Sequence, residues 1–242
     1  MHLIVLASGK GSRLGQLTKD KPKCFLKVDG KYIIDHLAPI FKYFEKVFIV
    51  VGHKRAKFYE KQYDKTKIVL NKNYKNTNMV ESLFSVSEKI YKDCIMVYSD
   101  IVFDLSILRS LINKRGTIMP VNTEWLNLWK KRMSYKKIKL DAENLTMNKD
   151  YLSSIGEPIN KKFPTTQYMG ILKITKFDYR ILKKFYIRLR NRKVDMTTFL
   201  NLVIKKKFIK IKVFRTKKYW FEIDTRKDLI LANDFFQKEL KN

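Results

Sequence analysis

An apolar segment followed by a glycine-containing loop opens this sequence and restricts the folds that it can adopt. Residues 2–7 (HLIVLA) are mostly apolar, and the loop SGKGSR follows at once. A short apolar run bounded by small residues is typical of a buried parallel strand. Gly9 and Gly11 lack the Cβ atom that would keep backbone N–H groups away from an anion, and Arg13 and Lys23 add positive charge. We therefore predict a phosphate-binding site at the carboxyl end of the first strand, where open α/β sheets bind ligands.

Strands and helices are predicted to alternate along the N-terminal part of the chain. Further apolar runs predict strands over residues 46–51, 67–70 and 94–98. Apolar residues at helical spacing predict helices over residues 32–44, 56–63 and 78–91. Such alternation favours right-handed βαβ units around a mostly parallel sheet. The expected fold class is α/β, a Rossmann-like arrangement of three layers with a mixed, mostly parallel sheet.

The composition excludes several classes of protein. Of the 242 residues, 45% are hydrophobic and 13% aromatic, which favours a packed globular core over a disordered chain. The formal net charge of +29 suits anionic ligands, although the lysines are spread along the chain rather than gathered in a tail. The two cysteines and three histidines lack metal-ligand spacing. Because no leader segment or apolar run of roughly 20 residues is found, we expect a cytoplasmic protein without a membrane span.

The glycine loop is part of a longer sequence motif that extends to Lys23. The motif consists of Gly9, Gly11, Arg13, Thr18, Pro22 and Lys23. The spacing resembles the signature G-x-G-x-R-x-x-x-x-T-x-x-x-P-K of nucleotidyltransferases that activate sugar phosphates and phosphorylated alcohols. This resemblance implies a single nucleotidyltransferase domain of the GT-A type over residues 1–242, with an acceptor-side insertion at about residues 121–166. It also implies that Arg13 and Lys23 are catalytic cations.

An asparagine-rich segment supplies the next expected contact. Residues 71–82 (NKNYKNTNMVES) are typical of a turn that leads into a helix N-cap. They also resemble the N-x-x-Y-x-x-T-N-M segment of cytidylyltransferases that act on phosphocholine-like or phosphoglutamine-like acceptors, where it borders the nucleotide. Both interpretations are compatible. The resemblance implies nucleotide contacts from Leu6, Ala7, Ser8, Gly9, Gly11, Arg13, Lys23, Asn78 and Ser99.

Two aspartates are candidate metal ligands. Asp100 lies just after the predicted strand 94–98, beside the phosphate site, where a carboxylate would repel a nucleotide unless a cation lay between them. In the family that the chain resembles, this aspartate binds Mg²⁺, and Asp224 in the motif W-x-E-I-D-T is the second ligand. The alternative is that both are helix caps, although Asp104 is better placed to cap the helix predicted at 105–112.

The predicted insertion contains candidate acceptor residues. Its order of motifs, W-x-x-L-W-x-x-R, D-A-E-x-L, I-G and then Q-Y-M-G, resembles CTP:phosphoglutamine cytidylyltransferases of capsule biosynthesis. We expect Arg132 to bind the acceptor phosphate or phosphonate, and Asp141 and Glu143 to bind an ammonium group. An alternative is a helix whose tryptophans enter the core. The full set of expected acceptor contacts is Trp125, Trp129, Arg132, Asp141, Glu143, Gln167, Trp220 and Glu222.

The C-terminal half is predicted to continue with mixed elements. They comprise a hairpin over 145–155, a strand at 167–174, helices at 176–189, 196–205 and 227–240, and an edge strand at 208–214. The edge assignment follows from alternating apolar and cationic residues.

These expectations lead to one function and two alternatives. The expected function is a Mg²⁺-dependent cytidylyltransferase that transfers CMP from CTP to a small acceptor and releases pyrophosphate. The acceptor belongs to the phosphoglutamine, 2-aminoethylphosphonate or phosphocholine class. One alternative is a sugar-1-phosphate nucleotidyltransferase, and the other is a non-catalytic polyanion-binding protein that uses the basic helix near residues 180–192. The expected function requires no nucleic acid, and a homodimer is left open.

Overall fold

The computed structural model describes residues 1–60, 63–159 and 162–239. Its strands are β1 (His2–Ala7), β2 (Lys27–Val28), β3 (Lys31–Tyr32), β4 (Lys46–Val51), β5 (Thr66–Leu70), β6 (Cys94–Tyr98), β7 (Ile101–Phe103), β8 (Ile118–Asn122), β9 (Asn144–Asn148), β10 (Tyr151–Glu157), β11 (Gln167–Tyr168), β12 (Ile171–Ile174), β13 (Lys212–Thr216) and β14 (Trp220–Glu222). Its α-helices are α1 (Ala56–Tyr59), α2 (Met79–Phe84), α3 (Ser106–Ile112), α4 (Trp125–Arg132), α5 (Tyr135–Asp141), α6 (Lys176–Ile187), α7 (Met196–Lys205) and α8 (Arg226–Glu239). Short 3-10 helices cover Ser12–Thr18, Lys23–Phe25, Ile33–Tyr43 and Ser87–Lys89. Parts of the predicted helices 56–63 and 227–240 lie outside the described residues.

A large mixed sheet forms the centre of the molecule. Its strand order is β5-β4-β1-β6-β12-β8-β13-β10-β9, and β11 pairs with β8. β5, β4, β1 and β6 are parallel to one another, whereas β12 is antiparallel to both β6 and β8. β1 lies between β4 and β6 and is buried along its whole length, which explains its continuous apolar sequence. The predicted α/β class with a mixed, mostly parallel sheet is confirmed.

Two apolar layers cover the opposite faces of this sheet. Ile4 and Leu6 of β1 belong to a cluster that includes α2, α6 and α7, whereas Leu3 and Val5 belong to a cluster that includes α3 and α4. Successive side chains of a strand point to opposite faces, so this division gives three layers. None of the helices in the described part of the chain has the length and apolar character needed to cross a bilayer.

Several elements differ from the sequence-based expectation. The helix predicted at 78–91 is divided, because α2 ends at Phe84 and a separate 3-10 helix covers Ser87–Lys89. The segment predicted as a helix at 32–44 is a 3-10 helix that contains Pro39, which has no N–H to donate within an α-helix. The strand predicted at 167–174 is divided into β11 and β12, with Gly170 at φ +74° between them. The predicted edge strand is wrong as an edge, because β13 lies between β8 and β10.

A small two-stranded ribbon connects distant parts of the sequence. β7 follows β6 almost directly, and β14 precedes α8. The two strands pair in antiparallel fashion with Glu222 opposite Ile101, and Ile223 N donates to Asp100 O at 2.9 Å. The residue after Ile223 is Asp224, so this ribbon brings the two predicted metal ligands to the same edge of the large sheet.

Candidate active site

Two adjacent clefts lie at the carboxyl edge of the parallel strands. The first cleft is lined by the end of β1, by Pro22 to Cys24, by parts of the segment 71–82, and by Tyr98 to Asp100. The second cleft is lined by residues from α4, β11, β14 and the start of α7. Met79 and Tyr98 line both clefts, so the two spaces share a wall.

Most of the predicted nucleotide contacts line the first cleft. They are Leu6, Ala7, Ser8, Gly9, Lys23, Asn78 and Ser99. Asn78 is the N-cap of α2, and its Oδ1 accepts from Met79 N at 2.8 Å. Both interpretations of the segment 71–82 are therefore compatible with its placement, since the cap residue also lies in the cleft.

Gly11 and Arg13 differ from the other predicted nucleotide residues, because neither lines the first cleft. Gly11 has φ +66°, and a Cβ there would lie 3.2 Å from both Lys23 Cβ and Thr18 Cγ2. Thr18 Oγ1 donates to Gly11 O at 2.9 Å. The loop motif thus fixes the fold of the loop against Lys23. Arg13 lines the second cleft, where its Nη2 lies 2.9 Å from Asp224 Oδ1.

Lys23 lies between the two predicted metal ligands. Its Nζ donates to Asp100 Oδ2 at 2.8 Å and to Asp224 Oδ1 at 2.5 Å. Burial disfavours the charge on Lys23, but the two carboxylates outweigh this cost and raise its pKa above the usual value. Burial also disfavours the charge on Asp224 and would raise its pKa, but Lys23 and Arg13 hold that pKa below its usual value. Lys23 is therefore charged and links both aspartates.

The donor set at this point fits a magnesium ion. Asp100 Oδ1 is buried and has no hydrogen-bond partner among the described residues, so one carboxylate oxygen is left over for a further ligand. No group of three or more His, Cys, Asp and Glu close enough to hold a metal exists in the part of the chain that the structure describes. Mg²⁺ commonly uses only one or two carboxylates together with substrate phosphates, so two aspartates are sufficient.

The helix caps are provided by other residues. Asp104 Oδ1 accepts from Ser106 N at 2.8 Å, at the start of α3. Asp228 Oδ2 accepts from Thr225 N at 2.7 Å and from Asp224 N at 3.0 Å, at the start of α8. Capping therefore does not account for the positions of Asp100 and Asp224.

Six of the predicted acceptor residues line the second cleft, namely Trp129, Asp141, Glu143, Gln167, Trp220 and Glu222. Trp125 does not: it is buried in the core, and its Nε1 donates to Pro164 O at 3.1 Å. For Trp125 the alternative interpretation is correct: this tryptophan belongs to the core, and its prediction as an acceptor contact is wrong.

Arg132 also requires a correction. Its Nε and Nη2 donate to Asp228 Oδ1 and Oδ2 at 2.7 and 3.1 Å. The guanidinium is buried in this ion pair and does not line the second cleft. The bidentate partner of Arg132 is a carboxylate of the chain, so we do not assign it to the phosphate of an acceptor.

The second cleft is acidic although the chain is strongly basic. Its described lining includes five carboxylates and one cationic side chain, Arg13; the carboxylates are Asp141, Glu143, Asp195, Glu222 and Asp224. Burial, with a contribution from Asp224 and Asp100, raises the pKa of Glu222 to about 8. Burial and the nearby Asp195 and Asp141 also raise the pKa of Glu143. A cationic group would relieve this accumulation of negative charge.

Several buried polar atoms of the second cleft have no partner among the described residues. They are Nε1 of Trp129 and Trp220, Oε1 of Gln167 and Oη of Tyr168. Buried polar groups are normally hydrogen-bonded, so these atoms have hydrogen-bonding capacity that no described residue uses. Two indole N–H donors suit an anionic oxygen, whereas an amide oxygen suits an N–H donor.

The sequence analysis missed some residues of the second cleft, notably Tyr98, Tyr168, Asp195 and Thr197. Thr197 Oγ1 lies 2.6 Å from Glu143 Oε1 and 2.9 Å from Asp195 Oδ1. Asp195 is also the N-cap of α7, where its carboxylate accepts from Thr198 N. An aspartate just before the predicted helix at 196–205 was a detectable cap signal, but its position beside Glu143 depends on how α7 packs against β10.

Comparisons with known proteins identify the family of this chain. The model of the MobA-like NTP transferase domain matches residues 3–136. The CTP:phosphoglutamine cytidylyltransferase of Campylobacter jejuni subsp. jejuni is 33% identical over 253 residues, which cover 95% of this chain and 98% of the relative. The choline-phosphate cytidylyltransferase of Haemophilus influenzae is 27% identical over 208 residues, 82% of each chain.

A solved structure has the same fold. The CTP:phosphocholine cytidylyltransferase from Streptococcus pneumoniae aligns with a TM-score of 0.76 at 19% identity, covering 97% of this chain and 98% of that one. The resemblance inferred from the N-terminal motif is confirmed, since the family match includes that motif. Because the family model spans more than half of the chain, this protein belongs to the MobA-like NTP transferase family and is a nucleotidyltransferase.

Proposed function

We propose that this enzyme transfers CMP from CTP to the phosphate or phosphonate oxygen of a small acceptor that also carries an ammonium group. The observation that carries the proposal is the meeting of two chemically different clefts at Lys23, Asp100 and Asp224. The first cleft combines backbone and neutral polar groups with Lys23 and Asp100, as a nucleotide with a metal ion requires, whereas the second is acidic. The choice of CTP is supported by the names of the relatives in Campylobacter and Haemophilus.

The reaction needs alignment and charge neutralisation more than a strong base. An acceptor oxygen, already anionic near neutral pH, forms a bond to the α-phosphorus of CTP. The bond from that phosphorus to the oxygen bridging to the β-phosphate breaks, and pyrophosphate leaves with the electron pair. Positioning and fixed charges are the main contributions an enzyme makes to such a transfer.

The side chains of this enzyme have distinct roles in the proposal. Lys23, which is charged and lines the first cleft, neutralises the phosphates of CTP. Arg13, at the mouth of the second cleft, adds positive charge beside the acceptor oxygen. Asp100 and Asp224 would hold Mg²⁺. The ion, when bound, would supply further charge neutralisation at the reacting phosphates.

The second cleft provides the argument for an ammonium-bearing acceptor. Asp141, Glu143 and Asp195 accept hydrogen bonds from N–H groups when ionised, and Gln167 Oε1 has no partner among the described residues. The indole N–H groups of Trp129 and Trp220 have no acceptor within the part of the chain that the structure describes, and we assign them to the anionic end of the acceptor. A hexose phosphate has no positive charge to offset these carboxylates, which disfavours the sugar-1-phosphate alternative.

The direct test is pyrophosphate release from each of the four nucleoside triphosphates against four acceptors. The acceptors are phosphoglutamine, 2-aminoethylphosphonate, phosphocholine and a hexose 1-phosphate. We expect turnover with CTP and with at least one ammonium-bearing acceptor. Turnover only with the hexose 1-phosphate would support the sugar-phosphate alternative, and no turnover with any pair would contradict the proposal.

The metal assignment is tested separately by Asp100→Asn and Asp224→Asn. We expect each variant to lose most Mg²⁺-dependent pyrophosphate release, because an amide supplies no negative charge to the ion. Asp104→Asn is the matched control, since Asp104 caps α3 close to the same edge and is expected to affect stability alone. Wild-type activity in the presence of a chelator would contradict the metal role.

A further inference from the structure

A buried ion pair connects the predicted insertion with the segment that carries Asp224. Arg132, at the end of α4, makes a bidentate contact with Asp228 in the first turn of α8. The two side chains are only 4% and 3% exposed. Bidentate Arg–carboxylate contacts fix orientation as well as distance, so this pair holds the two helices in one arrangement.

Asp228 also contacts the backbone of Asp224 directly. The oxygen Oδ2, which accepts from Arg132 Nη2, also accepts from Asp224 N at 3.0 Å and from Thr225 N at 2.7 Å. The backbone just before α8 is therefore held by a carboxylate whose own orientation is set by Arg132. These contacts hold the backbone from which the side chain of Asp224 extends toward Lys23.

Arg132 also provides charge on the buried side of the acidic groups. Its Nη1 lies 3.6 Å from Glu222 Oε2, and its Nη2 lies 4.0 Å from Asp224 Oδ2. The guanidinium lies 4.9 Å from the ring centre of Trp129, which lines the second cleft. One buried cation thus contacts a candidate metal ligand, a second carboxylate of the cleft and an aromatic wall, without lining either cleft itself.

We propose that Arg132 and Asp228 are positioning residues that orient Asp224 for Mg²⁺, with the Arg132 guanidinium also placing positive charge beside Asp224. This inference rests on the proposed metal role of Asp224. Substitution of groups that orient metal ligands commonly weakens metal binding by about 10- to 100-fold. The pair therefore acts on metal affinity through Asp224 rather than through contact with a substrate.

The test uses two conservative substitutions. Asp228→Asn keeps the shape and one oxygen for the backbone N–H groups but removes the charge that Arg132 contacts. Arg132→Lys keeps the charge but loses the bidentate geometry. Binding of Mg²⁺ is measured by calorimetry on the full chain with a non-hydrolysable CTP analogue and without acceptor, so that no turnover occurs. We expect both variants to bind Mg²⁺ about 10-fold or more weakly.

A matched control separates positioning from stability. Asp178 is a carboxylate in the first turn of α6. The strand before this helix, β12, ends beside Cys94, the first residue of β6. Asp178 therefore lies at the edge of the sheet opposite to the candidate site. Asp178→Asn should lower the melting temperature and leave Mg²⁺ affinity within about twofold, a change that remote sites rarely exceed. If Asp228→Asn and Arg132→Lys behave in the same way as this control, the pair is structural and the proposal is overturned.

Two further variants keep the result decisive. If neither single variant folds, Arg132→Met combined with Asp228→Asn removes the charge from both partners and retains the acceptor oxygen, and its Mg²⁺ affinity decides the question. Asp224→Asn tests the underlying assignment. Normal Mg²⁺ binding by Asp224→Asn would contradict the metal role of Asp224 itself. If Asp224→Asn binds Mg²⁺ weakly but the variants of Arg132 and Asp228 bind it normally, only the present inference is overturned.

Discussion

Lys23 contacts both candidate metal ligands, and this limits how the proposed site can work. The position between Asp100 and Asp224 is taken by an ammonium group. A bound cation and triphosphate would require Lys23 to exchange carboxylate partners for phosphate oxygens. Because Asp100 and Asp224 raise its pKa against the effect of burial, Lys23 is charged in the arrangement that the structure shows. The residue thus has one role before the substrate binds and another afterwards.

Lys23→Met should lower turnover by about 100-fold or more, as expected for loss of a preorganised charge at a reacting phosphate. The measurement is initial pyrophosphate release at saturating CTP, acceptor and Mg²⁺. Lys21→Met is the matched control, because it removes the same charge from an exposed side chain of the same loop. Equal activities of the two variants would remove Lys23 from the mechanism.

Glu143 leads to a pH prediction. Its raised pKa means that it is neutral at pH values where an ordinary glutamate is ionised, and only the ionised form attracts an ammonium group. As pH rises through this pKa, the carboxyl loses its proton, so the KM for the acceptor should fall while the KM for CTP stays constant. Glu143→Gln should abolish this part of the pH profile. An unchanged profile in the variant would contradict the contact.

At the scale of helices and strands, sequence patterns located most elements because each apolar run or helical period has a local cause. The bounds predicted for β1, β4, β6 and α7 match those observed. The failures arise where a single residue or a distant partner decides the structure. Pro39 prevents a regular α-helix, and Gly170 divides one predicted strand into two. The internal position of β13 depends on pairing with β8 and β10, which its own alternating sequence does not encode.

Gly170, between β11 and β12, is predicted to be essential for the shape of the second cleft. A Cβ at this position would lie 2.6 Å from Tyr98 Cδ2, and the backbone has φ +74°. Gly170→Ala should therefore displace Tyr98, which lines both clefts, and raise the KM of both substrates.

The control for this substitution separates backbone strain from displacement of Tyr98. Gly116→Ala has a similarly positive φ of +93° but open space around the added Cβ. Both variants should lose about 1–3 kcal/mol of stability from backbone strain, measured by denaturant unfolding. Only Gly170→Ala should change KM, and identical kinetics in the two variants would show that Tyr98 accommodates the methyl group.

Charge is distributed unevenly between the chain as a whole and the site. The chain carries a net charge of +29, yet the second cleft is acidic. The composition suggested anionic ligands, but it could not locate the acidic cleft, because Asp141, Asp195 and Glu222 meet only through the packing of α5, α7 and β14. The prediction that Arg132 binds a phosphate was wrong for a similar reason. Its actual partner, Asp228, is distant in sequence, and the motif around Arg132 gives no sign of it.

The positive surface should make CTP binding sensitive to salt. Raising the ionic strength from about 0.05 M to about 0.5 M shortens the screening length to a few ångströms, so the KM for CTP should rise while kcat changes little. A neutral osmolyte at equal osmolarity is the control. Filter binding of RNA under the same salt series tests the polyanion-binding alternative, which requires tight binding with a steep salt slope. A salt-independent KM would show that the surface charge does not attract the nucleotide.

The ammonium of Lys23 also lies within ion-pair distance of both Asp100 and Asp224. Since the two aspartates already have a counterion that belongs to the chain, magnesium starvation should stop turnover without unfolding the protein. The inactive enzyme would stay folded, with Asp100 and Asp224 already close together. Activity would then return when magnesium is added back, without synthesis of new protein.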